Sequence, residues 1–134
     1  MKCVCFAALL IVVSSAYGAA PVAQVQSSIT TSGASLAIGQ RIPVQNFKTE
    51  DYVISSVIMT WAPATESAGR HFVEHRWLQN GTLVSEGKRV ISFDKTPINL
   101  YSRRPAAALG EGHFDVQTLV DNVVVGDEQF DVSK

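Results

Sequence analysis

The stretch that decides the fold of this chain is His71-Phe72-Val73-Glu74-His75-Arg76-Trp77-Leu78-Gln79-Asn80-Gly81. It permits two interpretations. His-x-x-Glu-His is the metal-ligand and general-base pattern of the inverted zinc peptidases. A run of apolar and β-branched residues that leads into Asn-Gly is instead the strongest short-range signal for a β-hairpin. The two interpretations require different secondary structures, so only one of them can hold.

A zinc site made by His71, Glu74 and His75 requires both histidine rings to reach one ion, with nitrogen–metal distances of about 2.1 Å. A helix allows this at a spacing of four residues, but a strand holds the two α-carbons roughly 13 Å apart, at about 3.3 Å per residue. The aromatic and β-branched residues of the segment disfavour a helix. The hairpin is therefore the favoured interpretation, and a zinc-dependent hydrolase that uses these three residues is the alternative.

Strand alternation within this hairpin places Val73, His75 and Trp77 on one face. The opposite face carries Phe72, Glu74, Arg76 and Leu78. A histidine beside a tryptophan on a strand is either a partly buried residue with a structural hydrogen bond or a residue that contacts a ligand. Both roles stay open for His75.

Short runs of β-branched and aromatic residues, separated by turn residues, fill the rest of the chain. Asp121-Asn122 indicates a second hairpin, Gly87 suggests a bulge, and the segment from Pro105 to Gly112 allows about one helical turn. Leu36 to Val44 is less regular and indicates an edge or a connecting segment. The pattern predicts an all-β fold, a single antiparallel immunoglobulin-like β-sandwich of seven or eight strands.

The first 18 residues are typical of a secretory signal peptide: Lys2 precedes an apolar run that ends in small residues. We expect cleavage after Gly18, which leaves residues 19–134 as the β-sandwich domain. Cys3 and Cys5 would leave with the signal, so the mature domain would contain no disulfide and no thiol. The apolar run is shorter than the roughly 20 residues of a spanning helix. The sequence thus predicts a periplasmic or secreted protein without a transmembrane segment in the mature chain.

Charge and motifs restrict the function. The chain has 11 basic and 12 acidic residues, a formal charge of −1, and a nearly balanced charge gives no reason to expect a nucleic-acid partner. No nucleophile elbow, phosphate-binding glycine loop or calcium loop occurs in the sequence, and the aspartates are dispersed. We therefore predict a protein that is not an enzyme and has no cofactor and no metal.

The chain resembles a bacterial family of envelope domains of unknown function over about Val22 to Val132. The family pattern combines His-x-Trp, a downstream Asn-Gly, a Trp-x-Ser-x-Lys-like segment, Gly-x-Trp-x-Val and a closing Phe-x-Val. The matching segments here are His75 to Gly81 with Val84, Ile91 to Phe93, Leu100 to Arg103, Gly112 to Val116, and Phe130 to Val132. Tyr101, Arg103 and Phe114 depart from the family's residues. The resemblance implies a small β-sandwich at the bacterial envelope and brings no catalytic residues.

Basic residues surround Tyr101 in the second half of the chain, namely Lys88-Arg89, Lys95 and Arg103-Arg104. They indicate either a solvated edge or an anion or sugar site that uses arginine forks with aromatic stacking. We predict a binding or accessory module that contacts an envelope polysaccharide or protein through His75, Trp77, Tyr101 and Arg103. A third function class, an envelope inhibitor or assembly subunit that acts by strand addition, would use Leu36 to Val44.

Overall fold

A computed structural model describes residues 23–31, 44–61 and 68–134 of the chain. The expected signal peptide, the loop 62–67 and nearly all of the irregular segment from Leu36 to Val44 lie outside the described residues. The strands are β1 (Ala23–Thr31), β2 (Asn46–Lys48), β3 (Tyr52–Thr60), β4 (Gly69–Gln79), β5 (Thr82–Phe93), β6 (Ile98–Pro105), β7 (Gly112–Val120) and β8 (Val123–Ser133). A single turn of helix, α1 (Ala106–Leu109), lies between β6 and β7, within the segment where the sequence allowed one.

The strands form two sheets. One has the order β1-β3-β6 and the other the order β2-β8-β7-β4-β5. Neighbouring strands are antiparallel, with one exception among the described residues: β2 runs parallel to β8. The expectation of a purely antiparallel sandwich is wrong at this one strand pair, because the segment before β3 arrives alongside β8 without a hairpin turn.

The strand order is that of an immunoglobulin-like sandwich. β1, β3 and β6 occupy the places of strands A, B and E, whereas β8, β7 and β4 occupy those of G, F and C. β5 extends the second sheet as strand C′ does in variable-type domains. Trp77 on β4 is fully buried, as is the tryptophan of strand C in that fold. The predicted all-β immunoglobulin-like sandwich is confirmed.

The hairpin predicted from the opening stretch is formed by β4 and β5. Asn80 and Gly81 have φ values of 48° and 82°, and positive φ at both central residues produces a turn whose twist matches that of the strands. The register shift lies between Trp77 and Leu78, next to the turn. The expected bulge at Gly87 is wrong, because Gly87 pairs directly with His75.

The buried side chains form two apolar clusters. The first is built around Phe47, Val53, Trp77, Ala106, Phe114, Val116, Phe130 and Val132. The second is built around Val57, Met59, Trp61, Val73, Phe93, Leu100 and Val120. Each of the facing strands β3, β4 and β7 contributes to both clusters, and each has an inward residue between its two contributions.

Those inward residues form a polar layer between the two clusters. His75 lies between Val73 and Trp77 on β4, Thr118 lies opposite it on β7, and Ser55 occupies the equivalent place on β3. Their exposed fractions are 3%, 0% and 1%. Buried polar groups are costly unless they form hydrogen bonds. The polar side chains of this layer are therefore expected to have a specific role.

Candidate functional site: a basic groove between two sheet edges

A groove of about 290 Å³ lies between β5 and β6. Among the described strands, β5 and β6 each pair on one side only, so they are edges of their respective sheets. The groove is the opening of the sandwich between these two edges. Its lining consists of His75, Gly87, Lys88, Arg89, Tyr101, Ser102, Arg103 and Arg104.

Two arginines cross the groove in opposite directions. Arg104 reaches from β6 to β5, where its Nε donates to Ser85 Oγ at 2.8 Å and its Nη2 donates to the carbonyl of Glu86 at 3.3 Å. Arg89 reaches from β5 to β6, where its Nη2 donates to the carbonyl of Tyr101 at 2.8 Å. The two side chains line the groove and supply hydrogen bonds between edges that do not pair with each other.

All three nitrogens of the Arg104 guanidinium donate hydrogen bonds. Besides its bonds to β5, its Nη1 donates to the carbonyl of Arg103 at 2.9 Å and to Ser102 Oγ at 3.4 Å. Its Cζ lies 5.7 Å from the centroid of the Trp77 ring. A β-carbon at Gly87 would lie 3.6 Å from Arg104 Nη2, an ordinary van der Waals contact. Arg104 is therefore a structural tie between the sheets.

Arg89 is held more loosely. Its bond to the Tyr101 carbonyl is its one hydrogen bond within the part of the chain that the structure describes, and its Cζ lies 5.7 Å from the centroid of the Tyr101 ring. Both residues are exposed, Tyr101 by 53%. A guanidinium has five N–H donors, so Arg89 keeps donors for a ligand that enters the groove.

His75 forms the buried floor of the groove. Its imidazole donates a hydrogen bond to the backbone carbonyl of Leu100, which joins β4 of one sheet to β6 of the other. Its Nε2 is buried and has no hydrogen-bond partner among residues 23–31, 44–61 and 68–134. This nitrogen is therefore enclosed beneath the groove surface, in the polar layer that also contains the buried Thr118.

The charge state of His75 follows from its surroundings. Burial, together with the positive charges of Arg89 and Arg104, lowers the pKa of the imidazole from 6.5 to about 4, against a raising effect of the bond to Leu100. The ring is therefore neutral at pH 7. Since the nitrogen that bonds Leu100 carries the proton, Nε2 presents a lone pair and acts as an acceptor.

The groove is electropositive. Four of its lining residues are basic, and within the described ranges no acidic residue lines it. Glu86 lies beside it on β5, where its carboxylate pairs with Lys88 Nζ at 3.3 Å. Arg103 lies at the rim, with its Cζ 4.8 Å from the centroid of the Tyr52 ring. A concave surface lined by one sign of charge concentrates anions, so the groove is suited to an anionic group.

The structure brings together three of the four residues that the sequence singled out for binding. His75, Tyr101 and Arg103 all line the groove. Trp77 does not line it, because its exposed fraction is 0% and it packs in the core beneath Arg104. Lys95, from the basic segment, lies at a different surface depression.

Sequence reasoning did not single out Arg89 and Arg104 as a pair that crosses a groove. The sequence did contain a signal for the pair. The dipeptides Lys88-Arg89 and Arg103-Arg104 lie on two predicted strands that follow each other along the chain and are joined by a short loop. Alternation on each strand places one basic residue of each dipeptide inward, and an arginine directed inward near a sheet edge needs a partner.

The zinc motif of the opening stretch is not assembled. Glu74 lies on the opposite face of β4 from His71 and His75, where its carboxylate accepts a 3.0 Å hydrogen bond from Arg76 Nε. His71 Nδ1 lies 2.6 Å from Asp121 Oδ2. Within the described part of the chain, no cluster of three or more histidine, cysteine, aspartate or glutamate side chains is placed to hold a metal.

Comparisons with known proteins give fold-level matches only. No family model matches the sequence, and no curated protein matches it. An immunoglobulin-like protein from Pseudomonas aeruginosa matches with a TM-score of 0.48 and 11% identity, over 83% of this chain and 99% of that chain. The CARDB domain of a Pyrococcus furiosus protein, in complex with di-metal ions, matches with a TM-score of 0.43 and 15% identity, over 90% of this chain and 95% of that chain. No helix among the described residues is long and apolar enough to cross a bilayer.

Proposed function

We propose that this protein is an exported, non-enzymatic binding module of the bacterial envelope that holds an anionic group of a polysaccharide or protein partner in the groove between β5 and β6. The observation that carries the proposal is the lining of that groove: four basic side chains, no acidic one among the described residues, and a buried histidine at its floor. The predicted signal peptide and the resemblance to envelope domains support the location.

The geometry favours groove binding over strand addition. Strand addition requires free backbone groups along a sheet edge, and β5 is a twelve-residue edge with exposed Leu83, Val84 and Val90. Arg104 already occupies the carbonyl of Glu86 on that edge, and Arg89 occupies the carbonyl of Tyr101 on the facing edge. An added strand at the groove would have to displace both arginines.

Tryptophan fluorescence provides a direct test, because Trp77 packs against Arg104 beneath the groove. Trp61 lies in the other apolar cluster, against Phe93 with ring centroids 5.0 Å apart, so a Trp61→Phe background isolates the Trp77 signal. Polygalacturonate, a carboxylate polymer, is titrated into the purified protein, and dextran serves as the uncharged polymer. We expect a saturable change with polygalacturonate alone, weakened by added salt.

Charge-matched variants locate the binding. Arg89→Gln removes a groove cation, and we expect the affinity to fall at least about tenfold, because hydrogen bonds to charged groups contribute about 1.5–3 kcal/mol. Arg70→Gln removes the same charge from an exposed position of β4 outside the groove, and we expect less than a twofold change. Absence of binding, or equal losses in both variants, would refute the proposed groove.

A further inference from the structure

We propose that the ligand of the groove is an acidic polysaccharide, and that two exposed tyrosines, Tyr101 and Tyr52, stack on its sugar rings while Arg89 and Arg103 bind its carboxylates. The binding surface extends from the groove along β6 and onto the outer face of the sheet β1-β3-β6. This inference rests on the proposed function: it names the ligand class of the same site and adds a second part to that site.

The four side chains form a row in which aromatic rings and guanidinium groups alternate. The Cζ of Arg89 lies 5.7 Å from the centroid of the Tyr101 ring. Arg103 is two residues further along β6, on the same face as Tyr101, and its Cζ lies 4.8 Å from the centroid of the Tyr52 ring. Tyr52 is the first residue of β3 and pairs with Pro105, the last residue of β6. The row therefore continues the groove onto the neighbouring strand.

Both tyrosine rings are accessible to a ligand. Tyr101 is exposed by 53% and Tyr52 by 41%. Their neighbours Leu100 and Val53 are buried in the interior, so strand alternation places both tyrosines on the outer face of the three-stranded sheet. Exposed apolar surface that is rimmed by polar groups is common at ligand-binding surfaces. A ligand reaches these rings without any change in the fold.

The two arginines keep donors for carboxylates. Within residues 23–31, 44–61 and 68–134, the Arg103 side chain contacts the Tyr52 ring and makes no hydrogen bond or ion pair. Arg89 uses one donor for the Tyr101 carbonyl. A guanidinium that packs on an aromatic ring keeps its N–H edge available for the paired hydrogen bonds of a carboxylate. The row thus offers two sites for carboxylates with an aromatic ring between them.

The alternation favours an acidic polysaccharide over an acidic peptide. The C–H groups on the face of a sugar ring pack against the electron-rich face of an aromatic side chain. A chain of acidic amino acids provides carboxylates on flexible side chains and no rings, so it would use the arginines and leave the tyrosines without a partner. A polymer in which every ring carries a carboxylate uses both kinds of side chain.

The length of the row sets the length of the bound segment. Tyr101 and Pro105 are separated by roughly 13 Å along β6, at about 3.3 Å per residue, and Tyr52 lies opposite Pro105. This length exceeds that of one sugar ring, so the row binds more than one sugar residue of the polymer. The row ends at Tyr52, because the preceding residues Glu50 and Asp51 are acidic and repel carboxylates.

The test compares two anionic polymers by isothermal titration of the purified protein: polygalacturonate and poly-L-glutamate, matched in the number of carboxylates per chain. We expect polygalacturonate to bind at least about tenfold more tightly, because two stacking contacts are added to the ionic ones. Equal affinities, or tighter binding of poly-L-glutamate, would refute the sugar stacking and leave the anionic groove standing, with an acidic protein segment as its ligand.

Variants of the two tyrosines locate the stacking. Tyr101→Leu and Tyr52→Leu remove a ring and keep an apolar side chain, and each should weaken polygalacturonate about three- to tenfold and poly-L-glutamate less than about twofold. Since Tyr52 does not line the groove, its variant tests the extension of the site along β6. Phe72→Leu is the matched control, because it removes an exposed ring from the other sheet, and we expect its affinities to equal those of the wild type.

Urea unfolding verifies that these surface variants remain folded. Equal losses for the two polymers in the tyrosine variants would overturn the proposal, because the rings would then act only by orienting the arginines. An unchanged affinity of Tyr52→Leu for polygalacturonate would overturn the extension beyond the groove. Silence of the wild-type protein toward both polymers would instead refute the anionic groove and with it the proposed function, so the two failures are distinguishable.

Discussion

His75 and Leu100 connect the two sheets of the sandwich: the imidazole on β4 donates to the backbone carbonyl on β6. The bond crosses from one sheet to the other beside a groove, at the level where the two apolar clusters are separated by polar side chains. The same ring thus has one nitrogen fixed by the fold and one that is buried without a partner among the described residues.

Acidification should destabilise the protein through His75. The pKa of His75 is about 4 in the folded protein and about 6.5 in the unfolded chain, so the unfolded state binds more protons between these values. Stability is then lost as the pH falls from 6.5 to 4, by up to about 3 kcal/mol. Urea unfolding across this range measures the loss. His75→Gln does not titrate and should have a flatter profile; an equally steep one would contradict the assignment.

The titration of Asp115 should change the stability of the protein with pH in the direction opposite to that of His75. Burial, together with the hydrogen bond and the negative charge of Asp127, raises the pKa of its carboxyl from 3.8 to about 6, against a lowering effect of His113. The folded state then binds more protons between pH 3.8 and 6, so this contribution to stability is lost as the pH rises through that window.

Asp115→Asn should therefore stabilise the protein at pH 7, by about 1 kcal/mol after allowance for the partial exposure of the site. It should also steepen the acid loss due to His75, because the opposing titration has been removed. Thermal unfolding at pH 4.5 and pH 7 measures both effects. Asp127→Asn should give a similar gain at pH 7, and the double variant should gain less than the sum. Additive gains would show that the two carboxyls do not interact.

Arg104 and Arg89 should separate in their effects on stability. Arg104→Gln removes bonds to Ser85 and Glu86 and a contact with the Trp77 ring. We expect a loss of about 1–3 kcal/mol, typical of half-buried polar groups left without partners. Arg89→Gln removes one bond at an exposed site, and we expect a change within about 1 kcal/mol. Chemical unfolding measures the loss of stability in both variants. Equal losses would contradict the assignment of Arg104 as a structural link between the sheets and of Arg89 as the proposed ligand-binding residue.

Asp121 should be required for the attachment of the β7–β8 hairpin to the start of β4. Its Oδ2 lies 2.6 Å from His71 Nδ1, and its Oδ1 accepts a 2.9 Å bond from the backbone N–H of Phe72. It also has a φ of 48°, which Asn tolerates better than Ala.

Asp121→Ala should therefore cost about 2–3 kcal/mol, whereas Asp121→Asn should cost about half as much, because an amide oxygen can still accept one bond and the backbone strain is avoided. Thermal unfolding of the two variants measures the difference. An alanine variant as stable as the asparagine variant would show that neither the backbone conformation nor these bonds limit stability.

The sequence predicted most of the fold because local chemistry specifies it. Alternation on β4 placed Val73, His75 and Trp77 inward, and Asn80-Gly81 and Asp121-Asn122 predicted turns whose residues have positive φ in the structure. The bulge was misplaced: the register shift lies between Trp77 and Leu78, whereas Gly87 pairs directly with His75. A glycine within a strand does not by itself specify a bulge.

The groove between β5 and β6 could be predicted only in part. Basic residues around Tyr101 were visible in the sequence, and so was a histidine with two possible roles. The hydrogen-bond donors of Arg104 are occupied, those of Arg89 are mostly free, and Trp77 lies below the surface. These facts depend on distances between residues that are far apart in the chain. Side-chain hydrogen bonds between two sheets depend on how the sheets are offset, and strand periodicity contains no information about that offset.

The sequence by itself determined the strands, the hairpin turns and the face on which His75 lies, since alternation and turn chemistry act over a few residues. The tertiary structure decided what His75 does there. By placing the edges β5 and β6 side by side, it gave one ring nitrogen the Leu100 carbonyl and left the other buried beneath a basic groove. The physical reason is that a site between two sheets is created by their packing, which no single segment encodes.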